Sequence, residues 1–566
     1  MRFGTLALSF VVVGASPLQR RTELVSFDPH PIPQGWERGE LAPDSHTVPL
    51  RIGLTHGNFA ELEIQLAQVS DPLHEKYGQH LSREQVHALL APKPDTLALV
   101  KEWLASHEIM DEHLSSSPAG DYISVRLPVR KVEEMLDTRY HRYHKASQSL
   151  VRTHDYKLPH YLHEHISVIT PTNYLHSIKA KKSTVRHVST LSGFTIPKSF
   201  SWPFSLPNFG TPDVSKVCNT SAVTNVCLPG YKYPVVQIAG GPNQQTPDTP
   251  AQLAAFTDLE ANLDSQTIGG FDFPTPLTVY STGGEPPFIP DDNTGTDNSD
   301  EPYGSWASYF LGLSSPPQVV STSYGDDEQN VPLAYAKQVC SQFAAIGARG
   351  TTLFFASGDS GVESDGPYCT VNDGSGRTAF LPSFPPTCPY ITTVGATKNF
   401  APEVAAYDPA NGFYSGAGLS NYFAAPSYQK LAVDGYFAQA GNIYAGKNLY
   451  NRSGRAYPDI SAQGQSFLIY WDGQQNLVDG TSASTPTAAA IFALINDRLI
   501  VAGRPVLGFA NPLIYSLLAP GFNDITSGAS VGCGTQGFPA KIGWDLVTGF
   551  GTPDFSKLSA LLGLFI

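Results

Sequence analysis

The chain has 566 residues, of which 41% are hydrophobic and 15% charged, and its formal net charge is −14. This composition is typical of globular proteins, and the length is sufficient for two or more domains. The negative charge argues against a nucleic-acid partner, because phosphate groups require a basic surface. Beyond the N-terminal segment, no apolar run approaches the ~20 residues of a membrane-spanning helix, so we expect no membrane partner.

The N-terminal segment, MRFGTLALSFVVVGASP, has an early arginine, an apolar run and small residues at its end. These features are typical of a secretory signal peptide, here residues 1–16. The six cysteines and the sequons at Asn219 and Asn451 suit an oxidising, exported environment. Of the cysteines, only Cys218 and Cys227 are close enough in sequence to suggest a pairing. We therefore expect secretion, with delivery to an acidic vacuole or lysosome as the alternative.

Charge and histidine content divide the chain near residue 190. Residues 1–190 carry 21 Lys+Arg and 21 Asp+Glu, so their net charge is 21 − 21 = 0, whereas residues 191–566 carry 15 and 29, which gives 15 − 29 = −14. All 16 histidines lie in the first part. Because the pKa of a free imidazole is about 6.5, the first part becomes cationic in mild acid. This division predicts two domains with different roles.

The predicted secondary structure also changes along the chain. Residues 45–170 combine amphipathic helices, such as GNFAELEIQLAQVSD, with alternating strands such as DYISVRLPV, and this predicts a small α+β domain. Residues 176–200 have little apolar periodicity and are predicted to be an exposed linker. From about residue 230, short apolar strands such as TTLFFASG alternate with helices such as PAQLAAFTDLEANLDSQT. This alternation indicates an α/β fold with a mainly parallel sheet and helices on both faces.

A candidate nucleophile lies in VDGTSASTPTAAAIFALIND, residues 478–497, which places Ser482 at the start of a buried helix. Nucleophilic serines are often presented in this way, although a serine here can also be only a helix cap. No histidine follows His187 in the sequence. The proton of the Ser482 hydroxyl therefore has to be taken by another kind of group, for which a carboxylate is the obvious candidate.

Three carboxylates are candidates for this chemistry. Glu260 and Asp264 are four residues apart on one face of a predicted helix, where most such pairs are only solvated surface charges. The apolar residues around them indicate partial burial, which favours a functional role. Asp359, in LFFASGDSGV, directly follows an apolar strand, and active residues of α/β folds gather at the carboxyl ends of strands. An aspartate that only stabilises a turn is the alternative there.

These stretches together resemble the sedolisin family of serine-carboxyl peptidases, in particular its tripeptidyl-peptidase branch. The resemblance rests on six pieces in order between residues 230 and 560, namely EANLD, SYGDDE, LFFASGDSG, GRAYPDISA, GTSASTP and GWDLVTGFGTPDF. HEKYGQHLSREQV, residues 74–86, is similar to the activation peptide of that family. The resemblance implies a signal peptide (1–16), a smaller α+β, ferredoxin-like prodomain (17–175), a linker with the processing site (176–200) and a subtilisin-like peptidase domain (201–566).

Carried over to this chain, the resemblance makes Ser482 the nucleophile, Glu260 its general base, Asp264 the residue that orients Glu260, and Asp359 part of the oxyanion hole. A carboxylate base with an ordinary pKa near 4 works best in acid, and only a protonated aspartic acid can donate a hydrogen bond to an oxyanion. We therefore expect activity that is highest in mild acid and lost by neutrality. The implied protein is a self-processing monomeric zymogen that is inhibited by its own prodomain and releases tripeptides from the free amino termini of peptides and proteins. An acid endopeptidase and a catalytically silent binding protein are the alternatives.

The resemblance also implies one structural calcium ion near the C terminus. Carboxylates and backbone carbonyls are the oxygen ligands that Ca²⁺ prefers, whereas ordinary turn aspartates are the alternative. Three positions depart from the family pattern: Asp479 replaces a common serine, and Ala490 and Lys541 replace common glycines. These departures concern substrate preference and packing more than catalysis. The implied calcium ligands are Asp524, Ile525, Lys541, Gly543 and Asp545.

Overall fold

The computed structural model describes residues 23–29, 32, 36–145, 148–175, 177–178, 186–191, 233–284, 286–293, 297–298, 301–363, 367–441, 443–472 and 474–564. The predicted signal peptide, Cys218, Cys227 and the sequon at Asn219 lie outside these residues.

The first part of the chain forms antiparallel sheets covered by helices, as its mixed pattern predicts. Strand Thr47–Leu54 is hydrogen-bonded on one side to Tyr122–Pro128 and on the other to Ile166–Thr170. Alternate residues of this strand enter one core with the helices that carry Trp103 and Val132. The longer elements are β1 (Leu24–Ser26), β2 (Glu37–Leu41), β3 (Thr47–Leu54), α1 (Phe59–Ser70), α2 (Arg83–Leu90), α3 (Pro94–Ser106), β4 (Tyr122–Pro128), α4 (Val129–Leu136), β5 (His141–Lys145), β6 (Gln148–Arg152), β7 (Lys157–Pro159) and β8 (Ile166–Thr170).

The second part contains the predicted α/β fold. Its longer elements are β9 (Arg186–Leu191), β10 (Val235–Ile238), α5 (Pro250–Ala254), α6 (Leu259–Asp272), β11 (Val279–Thr282), α7 (Tyr303–Gly312), β12 (Val319–Thr322), α8 (Leu333–Ala348), β13 (Thr352–Ala356), β14 (Thr392–Lys398), β15 (Gly418–Ala424), α9 (Lys430–Ala440), β16 (Gly454–Tyr457), β17 (Ile460–Gln463), β18 (Phe467–Trp471), β19 (Gln474–Asp479), α10 (Thr481–Val501) and α11 (Phe555–Leu561).

The central sheet is parallel and carries helices on both faces. Strands β12, β13, β14 and β17 pair in parallel in this spatial order. The ring of Phe354 on β13 lies 5.1 Å from that of Phe492 on α10, whereas the ring of the next residue, Phe355, lies 5.3 Å from that of Phe343 on α8. Because successive strand side chains point to opposite faces, α8 and α10 cover opposite sides of the sheet. The α/β prediction is confirmed.

The helix predicted from Pro250 onward is broken into two, which corrects the sequence interpretation. Phe256, between α5 and α6, has a φ of 53°, a left-handed conformation that cannot continue a right-handed helix. Its ring lies 5.3 Å from that of Trp471 on β18. Aromatic packing against a distant strand is the contact that accompanies the break, and no local sequence signal marks it.

The predicted exposed linker also differs from expectation, because part of it is a strand. β9 pairs in antiparallel fashion with β19, the strand that leads into Ser482. His187 on β9 stacks on the ring of Phe256 at 5.1 Å, and its Nε2 lies 3.1 Å from Asn476 Oδ1. This pairing joins segments 289 residues apart, so local periodicity gave no sign of it. Residues 186–191 are therefore docked on the second part of the chain rather than free.

The first part packs directly onto the second through two of its helices. Leu62 and Leu66 of α1, together with Val86 of α2, share one buried core with Val339 and Phe343 of α8. Because α8 lies between β12 and β13 in sequence and covers one face of the sheet, this contact places the first part beside the strands that carry the candidate site.

Candidate active site

Ser482 lies at the beginning of α10 and has no exposed surface. The antiparallel strands β18 and β19 lead the chain into this helix, and Asp479, the last residue of β19, is itself fully buried. The Ser482 Oγ donates to the backbone carbonyl of Ser323 at 3.3 Å. A helix N terminus carries a partial positive charge, so this position stabilises negative charge on the serine oxygen or on an atom bonded to it.

Helix α6 brings Glu260 and Asp264 to the same place. Leu259 and Leu263 on α6 pack in one small core with Ala483, the residue that follows Ser482. Glu260 is only 1% exposed. Burial is the main cause of an Asp264 pKa well above its usual range, and the neighbouring Glu260 charge raises that pKa further. The two carboxyl groups therefore titrate together, and one shared proton relieves their repulsion.

Asp359 lies in a tight turn directly after β13, at the carboxyl end of the parallel sheet. Gly358 has a φ of 104°, which favours glycine, and this conformation turns the chain so that Asp359 faces the start of α10. Oδ1 of Asp359 accepts hydrogen bonds from both the backbone N–H and the hydroxyl of Thr481, each at 2.8 Å. Asp359 is thus fixed beside Ser482.

All four predicted catalytic residues therefore gather at the start of α10. Sequence reasoning did not assign a role to Ser323 or Thr481, although both lie inside the motifs SYGDDE and GTSASTP. Ser323 donates through its hydroxyl to Asp264 Oδ1 at 2.7 Å. The last histidine of the sequence, His187, contacts Asn476 and Phe256. The arrangement provides a serine hydroxyl, a buried carboxylate pair and a third carboxyl group held by Thr481.

Known proteins are similar to this chain over most of its length. The sequence profile of the pro-kumamolisin activation domain matches residues 34–175, and that of the subtilase family matches residues 287–499. Tripeptidyl-peptidase sed4 of Aspergillus fumigatus is 35% identical to this chain, covering 94% of it and 95% of the relative. Tripeptidyl-peptidase SED2 of Arthroderma otae is 32% identical, covering 98% of this chain and 100% of the relative. The chain belongs to the sedolisin family, in its tripeptidyl-peptidase branch.

This sedolisin is accordingly a serine-type peptidase with an N-terminal activation domain and a subtilisin-like catalytic domain. Among solved structures, Pseudomonas sedolisin complexed with two molecules of pseudo-iodotyrostatin is similar, with a TM-score of 0.45 and 22% identity over 63% of this chain and 90% of that one.

Two disulfides stabilise the described part of the catalytic domain. Cys340 on α8 pairs with Cys388, and Cys369 pairs with Cys533. The second bond lies beside Glu363, whose carboxylate accepts a hydrogen bond from the Cys533 N–H at 2.6 Å. Glu363 and the two sulfurs are close enough to suggest a metal site, but sulfurs joined in a disulfide are not thiolate ligands. The cluster is structural.

The residues of the predicted calcium site come from two loops that touch. Asp524 Oδ2 accepts a hydrogen bond from the Gly543 N–H at 2.8 Å, and Asp545 Oδ2 accepts one from the Lys541 N–H at 2.9 Å. Asp545 has no exposed surface, and burial raises its pKa to about 7. Both carboxylates are thus held against the backbone of residues 541–543, and carboxylate oxygens are the type of ligand that Ca²⁺ prefers.

Polar contacts join the activation domain to the catalytic domain near a buried histidine–aspartate contact. His56 lies 3.3 Å from Asp121 within the activation domain, and the amide of Gln342 on α8 donates to the same aspartate at 2.9 Å. Arg51 donates to the hydroxyls of Ser305 and Ser308 on the catalytic domain, each at 2.9 Å. Charged side chains of the activation domain are thus paired with neutral groups of the catalytic domain.

Proposed function

We propose that this sedolisin is a secreted zymogen that matures into an acid-active serine-carboxyl peptidase and releases tripeptides from the free amino termini of peptides and proteins. The observation that carries the proposal is that Ser482, the Glu260–Asp264 pair and Asp359 lie together. The sequence of the peptidase domain, residues 201–566, contains no histidine that could act as the base. The tripeptide specificity rests on the similarity to the two fungal tripeptidyl-peptidases.

The geometry supports a two-step acyl transfer. The Ser482 oxygen attacks the scissile carbonyl carbon, and its proton passes to a carboxylate oxygen of Glu260, which Asp264 orients. The carbonyl oxygen becomes negative and accepts a hydrogen bond from the protonated Asp359. Collapse of the tetrahedral intermediate breaks the C–N bond, and the leaving amine takes the proton from Glu260. Water then attacks the acyl-enzyme by the same steps and releases the N-terminal product.

We further propose that Asp524 and Asp545, with the carbonyls of Ile525, Lys541 and Gly543, hold one calcium ion. When bound, the ion supplies positive charge that neutralises two acidic groups and joins two loops. No role for it in the chemical step is proposed, and its expected effect is on stability.

We propose secretion as the destination. The apolar N-terminal segment and the two disulfides support it, because disulfides persist in oxidising compartments. Within the residues that the structure describes, no helix has both the length and the apolar character needed to cross a bilayer.

The test compares hydrolysis of an Ala-Ala-Phe reporter with a free amino terminus and the same reporter with a blocked one, at about pH 4 and pH 7. The Ser482→Ala variant is the control. Cleavage of only the free peptide, and only in acid, is the expected result. Equal cleavage of the blocked peptide would establish an endopeptidase instead. Inactivity of the processed protein toward both reporters and toward protein substrates would favour the silent binding protein.

A further inference from the structure

One residue outside the predicted catalytic set contacts two of its members. Ser323 directly follows β12 and is 1% exposed. Its hydroxyl donates to Asp264 Oδ1 at 2.7 Å, and its backbone carbonyl accepts the hydrogen bond of the Ser482 hydroxyl at 3.3 Å. Ser323 therefore links the carboxylate pair on α6 to the serine on α10 by two different groups, one in its side chain and one in its backbone.

The surroundings of Asp264 otherwise favour its neutral form. Glu260 faces it from the same helix with a like charge. Burial raises the pKa of Tyr324, the residue after Ser323, and the charges of Glu260, Glu301 and Asp264 raise it further. Burial and the Glu260 charge raise the pKa of Asp264, whereas the Ser323 hydroxyl lowers it. A hydrogen bond from a neutral donor to a buried carboxylate is the interaction that stabilises the ionised form here.

We propose that Ser323 is a positioning residue whose hydroxyl stabilises the singly ionised form of the Glu260–Asp264 pair, in which Glu260 can take the Ser482 proton while Asp264 orients it. The inference rests on the proposed function of these three residues. A pair in which both carboxyl groups are protonated has no basic oxygen left to accept the Ser482 proton. The Ser323 hydroxyl thus extends the catalytically competent state of the pair toward lower pH.

The two contacts of Ser323 can be separated by mutation. The carbonyl that accepts from Ser482 belongs to the backbone, so Ser323→Ala leaves that contact in place and removes the hydroxyl's hydrogen bond to Asp264 together with its longer one, at 3.4 Å, to the Ser482 carbonyl. A hydrogen bond to a charged group corresponds to a pKa change of about one unit or more. For Ser323→Ala we expect the acidic limb of the kcat/KM–pH profile to move up by about one pH unit. We also expect kcat at pH 4 to fall about tenfold with little change in KM.

The experiment measures kcat and KM of the processed enzyme from about pH 3 to pH 6.5 for the wild type and for three variants. Ser323→Thr keeps a hydroxyl and is expected to keep the wild-type profile. Ser321→Ala is the matched control, because Ser321 lies on β12, two residues before Ser323, and its buried Oγ has no hydrogen-bond partner among the described residues. If Ser323→Ala does not accumulate, Ser323→Cys replaces it, since its weaker S–H donor shifts the profile in the same direction.

An acidic limb that moves in Ser323→Ala but not in Ser323→Thr or Ser321→Ala supports the proposal. A uniform loss of activity with an unchanged pH profile overturns it, because a purely structural role would have that effect. An identical shift in Ser323→Thr also overturns it. If the wild type were no more active than Ser482→Ala, the proposed function itself would fail, and this outcome is distinct from an active enzyme with an unmoved profile.

Discussion

Thr481 holds Asp359 in a single orientation: its backbone N–H and its hydroxyl both donate to Asp359 Oδ1 at 2.8 Å. An oxygen that accepts two hydrogen bonds is the less favourable site for a proton, so the proton of the neutral acid belongs on Oδ2. Thr481 directly precedes Ser482. The carboxyl group is therefore oriented by the same helix start that presents the proposed nucleophile.

This orientation predicts that asparagine can partly replace Asp359. In Asp359→Asn, the amide oxygen accepts the Thr481 hydrogen bonds and the NH₂ group occupies the position of the Oδ2 proton. An amide donates at any pH, so we expect measurable activity with a weaker decline toward neutral pH. Asp359→Ala has no donor and is expected to lose about 10²- to 10³-fold in kcat. Equal losses in both variants, measured on the free-amine reporter from pH 3 to pH 7, would contradict the oxyanion role.

His80 is the activation-domain residue whose titration should weaken the contact with the catalytic domain. Its Nε2–H donates to the backbone carbonyl of Val506 at 2.8 Å, and burial lowers its pKa below the usual value of 6.5. A Cβ atom at Gly508 would lie 2.4 Å from its ring, so the packing leaves no space. Nδ1 is buried without a hydrogen-bond partner among the described residues, and protonation would place a donor there.

The sign of the pH effect follows from the lowered pKa. Neutral His80 is favoured in the folded zymogen, so its contribution is complete above pH 6.5 and is lost as the pH falls below 6.5 toward the lowered value. In a Ser482→Ala zymogen, which cannot process itself, we expect the Tm to fall more steeply between pH 7 and pH 5 than in the same zymogen carrying His80→Gln. His154→Gln, at an exposed histidine, serves as the control and should leave the slope unchanged. Identical slopes in all three would remove His80 as a pH-sensitive contact.

Calcium removal should lower the stability of the catalytic domain. It should not alter the proposed catalytic roles of the carboxyl groups near Ser482. A ligand present at about 100 times its Kd contributes ~2.7 kcal/mol, which corresponds to a Tm change of ~3–4 °C in a domain of about 370 residues. We expect a chelator to lower the Tm by this amount at constant pH, and Asp524→Asn to lower it similarly and abolish the chelator effect. Asp434→Asn, at an exposed aspartate, should retain the chelator effect. A Tm unaffected by the chelator in wild type would refute the site.

The sequence allowed the parallel sheet and the glycine-rich turn that carries Asp359 to be predicted for a physical reason. Strands buried on both faces need continuous apolar runs, and the turn around Asp359 needs glycine, so both leave local signals. The roles of Ser323 and Thr481 depend instead on contacts with residues far along the chain: Ser323 is 59 residues from Asp264, and Thr481 is 122 residues from Asp359. The pairing of β9 with β19 was missed for the same reason, because a short strand can be stabilised by hydrogen bonds to a strand that is far away in the sequence.

The motif GRAYPDISA yields the last prediction, which concerns stability. Arg455 and Asp459 form an ion pair at 2.6 Å with no exposure of either side chain. Asp459 also accepts hydrogen bonds from the Thr393 N–H at 2.7 Å and the Tyr515 hydroxyl at 2.8 Å, so its charge is fully engaged. Removing one partner of a buried pair leaves the other charge uncompensated.

For Arg455→Met we therefore expect a loss of about 3–5 kcal/mol in the free energy of unfolding, with a large fall in Tm. Lys430→Met is the matched control, because Lys430 and Asp434 form an exposed pair at 2.6 Å on α9, and such pairs contribute less than about 1 kcal/mol. Denaturant unfolding of the Ser482→Ala forms, which cannot digest themselves, measures both. Similar small losses in the two variants would show that solvent or neighbouring groups compensate the Asp459 charge when the arginine is removed.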